Sequence, residues 1–95
     1  MASFNEIDEA RKLLTLGGAV SLGEIKRAYW KKAHRYHPDK GAEDEEEMKK
    51  INWAYKLLME YCRIYKFTFT KEDWKRAYPQ EAYFEKYGKG WFDGI

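Results

Sequence analysis

The sequence predicts an all-α fold: an antiparallel helical hairpin, preceded by a short N-terminal helix and followed by a helical, aromatic C-terminal extension. Three observations predict it. Cap signals open several apolar stripes spaced at three and four residues, the period of a helix face. A proline, Pro38, separates the two longest of those stripes and forces a corner between them. The one stretch that alternates like a strand, Phe67-Thr68-Phe69-Thr70, is isolated and has no second strand to pair with, so it reads as an extended linker.

In chain order, Ser3-Phe4-Asn5-Glu6 or Asn5-Glu6-Ile7-Asp8 caps a first helix whose stripe is Ile7, Ala10, Leu13 and Leu14, and Gly17-Gly18 is expected to end it. Ser21-Leu22-Gly23-Glu24 is a capping box for a second helix. There Leu22, Ile25, Tyr29, Ala33 and Tyr36 fall on one side, while Arg27, Lys31, His34 and Arg35 fall on the other, flanked by Lys26 and Lys32. Charges of nearly one sign that run straight into the corner favour a docking surface over a merely solvated face.

Pro38 holds His37 away from helical angles, so the second helix is expected to end near Tyr36 and His37-Pro38-Asp39 to form the corner. The acidic run Glu43 to Glu47 then suits the start of a third helix, where carboxylates complement the dipole. That helix carries the stripe Met48, Ile51, Tyr55, Leu58, Cys62 and Tyr65. A second apolar set, Trp53, Leu57, Tyr61 and Ile64, lies on roughly the other side and is expected to need cover. The aromatic residues of the C-terminal segment, Trp74, Tyr83, Phe84 and Trp91 among them, are read as that cover. Thr70-Lys71-Glu72-Asp73 caps a short helix to about Tyr78, and Pro79 opens another ending at Gly88.

At 95 residues the chain has room for one modest core and little more. With 18 basic and 16 acidic residues its net charge is +2, so electrostatic recognition has to be local. A single cysteine, Cys62, excludes an intrachain disulfide and a zinc-binding Cys-x-x-Cys site. The N-terminus lacks a secretion signal and no apolar run is long enough to span a bilayer, so the expectation is a cytoplasmic protein with no membrane partner.

Three chemical readings of the corner can be weighed. As an enzyme site, His37 and Asp39 would need to orient one another, yet Pro38 points them apart, and no nucleophile, oxyanion donor or phosphate-binding loop lies near in sequence. As a metal site, His34, His37 and Asp39 lose their common face at the proline. As part of a helix-turn-helix nucleic-acid binder, the basic helix would carry the acidic run beside it, which repels phosphates. The expectation is therefore no catalysis, no cofactor and no metal, with nucleic-acid binding as the runner-up to a rigid tip read by a protein partner.

The capped basic helix with Ala28-Tyr29 at its middle, the string Tyr36-His37-Pro38-Asp39-Lys40, and the helix with Ile51-Asn52-x-Ala54-Tyr55 together resemble the J domain of DnaJ-type co-chaperones, over roughly Asn5 to Leu58. The resemblance implies a J domain, placed at residues 1–66; the aromatic segment at 67–95 is read, from its own residues, as packing on it. It further implies docking on an ATP-bound DnaK-type heat-shock chaperone, whose ATP hydrolysis is stimulated so that it closes on a client polypeptide. Carried over by position, His37, Pro38 and Asp39 are the signature loop, and Lys26, Arg27, Tyr29, Lys31 and Arg35 belong to the docking helix.

The chain also departs from the family pattern. Trp30 stands where a basic or polar residue is usual, and the basic helix ending in Arg-x-x-Tyr-Asp is missing after Leu58. The chain thus reads as a minimal, monomeric J protein with its own C-terminal clasp and an unspecified client. Asp39-Lys40-Gly41 and Glu46 to Asn52 also resemble the J domain of polyomavirus tumour antigens, an origin disfavoured because those proteins carry further cysteine-bearing segments.

Overall fold

The computed structural model describes residues 1–36 and 42–88. It divides into two compact units, Met1–Tyr65 and Lys66–Ile95, each taken by itself below. Three helices make the first unit: α1 (Phe4–Leu13), α2 (Leu22–Arg35) and α3 (Ala42–Ile64).

Of the two possible starts for α1, the chain uses Ser3. Its hydroxyl accepts from the Glu6 amide at 3.2 Å, and the Ser3 amide donates to the Glu6 carboxylate at 3.1 Å. The backbone and hydroxyl contacts with Ser3 hold the Glu6 carboxyl below its ordinary pKa. Ser21 and Glu24 make the same reciprocal box at the start of α2, at 3.2 and 3.0 Å, so the sequence signature and the geometry coincide twice.

The glycine pair does not end α1. The helix stops at Leu13, and the Leu16 amide reaches back to the Arg11 carbonyl at 3.0 Å while the Thr15 amide reaches Lys12 at 2.9 Å. This is a Schellman closure, which needs a left-handed residue, and Thr15 supplies it with φ 56. The Arg11 guanidinium locks the turn by donating to the Leu16 carbonyl at 2.8 Å while also pairing with Asp8. Leu14, four residues after Ala10, stays on the buried side at the cap, and Leu16 beyond the turn also packs against the core.

Thr15→Gly is therefore expected to stabilise the protein. A left-handed backbone costs a residue with a β-carbon roughly 1 to 2 kcal/mol, and glycine's extra unfolded-state entropy returns about half of that. A net gain of about 0.5 to 1 kcal/mol should raise the urea midpoint at constant slope. A lowered midpoint would show that the exposed Thr15 side chain holds the turn in some other way.

α2 ends where Pro38 requires, with Tyr36 leaving helical angles at φ −111 and ψ 48. α3, 23 residues long, is the element on which both α1 and α2 pack. The core joins Ala10 and Leu14 from α1 and its cap, Ile25 from α2, and Ile51, Ala54 and Leu58 from α3. Three calls on the stripes need correcting. Leu22 is 46% exposed and Tyr65 55% exposed, because each sits at a helix end beyond the reach of its partner helix. Leu57, assigned to the uncovered side, packs against this core together with Leu16, Val20 and Met59. Residues of the α1–α2 connection thus cover surface that a two-helix hairpin would leave bare.

In the second unit Phe67 to Thr70 belongs to no helix or strand, and Thr70 has extended angles at φ −78 and ψ 162. The Thr70 hydroxyl accepts from the Asp73 amide at 3.2 Å and opens α4 (Lys71–Ala77). The hydroxyls of Thr68 and Thr70 both donate to Asp73 and hold its carboxyl below the usual carboxylate range. Pro79 starts α5 (Pro79–Tyr83), and a π-helical turn, Phe84–Gly88, continues it to the expected end. Trp74 and Tyr78 lie ring to ring at 6.3 Å, and Tyr83 and Tyr87 at 4.9 Å.

Candidate docking face

Helical spacing sorts α2 into two sides. Ile25 is buried, and Ala28, Tyr29 and Tyr36 pack against the core. On the far side residues four apart form two rows, Lys26-Trp30-His34 and Arg27-Lys31-Arg35, and all six are exposed. Among the described residues, no acid pairs with Lys26, Arg27 or Lys31, and Glu24 is held by the Ser21 cap. The Arg35 guanidinium sits 5.6 Å above the centre of the Tyr36 ring, a cation–π contact at the end of the helix. Basic groups in the last turn also complement the helix dipole, which lets the positive face form without destabilising α2.

Tyr29 stands apart from the other expected docking residues. Its hydroxyl donates to Asn52 Oδ1 at 2.7 Å, and its ring stacks on Tyr55 at 4.1 Å with 20° between planes. It fastens α2 to α3 rather than facing outward with Lys26 and Arg27. Its place in the apolar stripe with Ile25 carried that signal, as did that of Tyr55 in the stripe of α3; the part played by Asn52 carried none, because its partner lies 23 residues away in sequence. His37, Pro38 and Asp39 lie outside the described residues. The elements that flank them are described: α2 delivers the chain at Tyr36, and α3 takes it up at Ala42.

The acidic run beyond the tip is less bare than its sequence suggests. Glu46 pairs with Lys49 at 3.5 Å and Glu47 with Lys50 at 3.4 Å, each one turn along α3. Such exposed pairs add little stability, but they mute the negative end of the molecule. Among the described residues, Lys26, Arg27 and Lys31 make no comparable ion pair. Among the described residues no helix is long and apolar enough to cross a membrane.

A positive face on a helix braced against a second by a Tyr-Asn bond, with His-Pro-Asp between them, agrees with what a comparison of families finds: residues 12–65 match the DnaJ domain. The chain belongs to the DnaJ domain family. It is similar to the chaperone protein DnaJ of Opitutus terrae, 40% identical over 90 residues, 92% of this chain and 19% of that protein. It is also similar to the chaperone protein DnaJ of Clostridium beijerinckii, 50% identical over 50 residues, half of this chain and 13% of that protein. The chain thus spans less than a fifth of the length of these relatives. The small t antigen of budgerigar fledgling disease virus is 46% identical over 63 residues, 66% of this chain and 38% of the antigen, in line with the tumour-antigen resemblance of the tip and the start of α3. No solved structure matches the chain.

Within this J domain the Tyr29-Asn52 bond is expected to be a measurable part of the hairpin. Tyr29→Phe and Asn52→Ala should each destabilise, and the double variant should lose less than their sum. A coupling of about 0.5 to 1.5 kcal/mol is the ordinary worth of such a bond. Additive losses in a thermal double-mutant cycle would show that the bond does not hold the helices together.

Proposed function

We propose that this chain is a J-domain co-chaperone that docks on a DnaK-type heat-shock chaperone through the His37-Pro38-Asp39 loop and the basic face of α2, and so stimulates the partner's ATP hydrolysis. The observation that carries the reading is the exposed row Arg27-Lys31 beside Lys26, without an ion pair among the described residues, on the helix that leads directly into that loop in a DnaJ-family chain. A positive helix face attracts an acidic surface and raises the rate of encounter. A tip held by proline presents an imidazole and a carboxylate at little cost in conformational entropy.

On this reading the chain does no chemistry of its own and needs no cofactor; hydrolysis belongs to the partner, and the site of action is the cytoplasm. The test is binding to a bacterial DnaK in its two nucleotide states. Tighter association with the ATP-bound than with the ADP-bound form, weakened by Lys31→Glu and by added salt, is the expected result. Equal affinity for both forms would refute the proposal.

A further inference from the structure

Trp30 is a large apolar side chain that the core does not use. It is 64% exposed, and its ring contact is with His34, 6.1 Å away and tilted by 35°. It lies on the side of α2 opposite Ile25, four residues after Lys26 and four before His34, with Arg27 and Lys31 in the neighbouring row. An indole is thus set in the middle of the positive face, at the position where the family resemblance leads one to expect a basic or polar residue.

A field of lysines and arginines alone speeds encounter but holds a partner weakly, since rim charges stay solvated in the complex. Affinity concentrates in a few side chains that become fully desolvated, and tryptophan is prominent among them. Trp30 meets both conditions, central in the charged face and free of any duty in the fold. We infer that Trp30 is the apolar anchor of the docking face, and that it seats in a recess of the partner chaperone that is apolar at its base and edged by carboxylates facing Lys26, Arg27 and Lys31. The inference rests on the docking reading above and gives the chemistry of the partner's surface at one point of it.

The experiment is stopped-flow association and dissociation with ATP-bound bacterial DnaK, using the full chain and the variants Trp30→Ala, Trp30→Lys and Trp30→Phe at low and physiological salt. Trp30→Ala should bind about tenfold or more weakly, mainly through faster dissociation, with an unchanged melting temperature. Trp30→Lys should be weakened as much despite its added charge, and Trp30→Phe should keep most of the affinity. A lysine variant that binds as tightly as the wild type would overturn the anchor while leaving the docking reading intact. A wild-type chain that fails to bind DnaK overturns the docking reading and the anchor with it.

Discussion

His37→Gln and Asp39→Asn are each expected to abolish stimulation of a DnaK-type ATPase while leaving the helical fold unchanged. Both residues are polar and lie in sequence between α2 and α3. Removing one partner of a hydrogen-bonded charged contact buried by docking costs about 2 to 5 kcal/mol, which is upwards of about thirtyfold in affinity. The far-ultraviolet circular dichroism and the melting temperature should match those of the wild type, because neither change removes buried apolar area. Either variant stimulating hydrolysis at the wild-type rate would remove the loop from the docking site.

Leu14→Ala is expected to have the largest effect on stability. Leu14 is 1% exposed and is one of six buried core residues among the described residues, two of them alanines, so much of the apolar volume of that core rests on four side chains. Truncating a buried leucine costs about 2 to 5 kcal/mol, the spread reflecting how far the cavity collapses. Small domains have about 5 to 15 kcal/mol in all, so the variant should melt many degrees lower or be largely unfolded near body temperature. Chemical denaturation measures it, and a loss under about 1 kcal/mol would mean that α1 does not close the core of the first unit.

Elements whose cause is local were legible in the sequence. Ser3 with Glu6, Ser21 with Glu24, and Thr70 with Asp73 are short-range cap signals, and each starts a helix where it was expected. Pro38 stops α2 for an equally local reason. The end of α1 was misjudged because glycine is the usual left-handed residue, whereas here a threonine adopts that conformation and the arginine at position 11 secures the turn. Leu57 is partly buried against the core, as are Leu16 and Val20, which lie in a connection where periodicity gives no signal.

The docking face shows the same division. Spacing alone places Lys26, Arg27, Lys31 and Arg35 on one side of α2. Tyr29, assigned to the docking helix by resemblance and to its apolar side by spacing, bonds to Asn52 and stacks on Tyr55 of α3. Such cross-helix pairings depend on the register of the hairpin. That register follows from how Ile25, Ile51 and Leu58 pack together rather than from any one segment.

The central claim is that this J domain acts on the nucleotide cycle of a partner chaperone. Single-turnover hydrolysis of ATP preloaded on a bacterial DnaK, followed with increasing amounts of this chain, measures that directly. The account predicts a rate that climbs and saturates with the wild-type chain and stays at the basal value with His37→Gln. A basal rate at every concentration of the folded wild-type chain would contradict it.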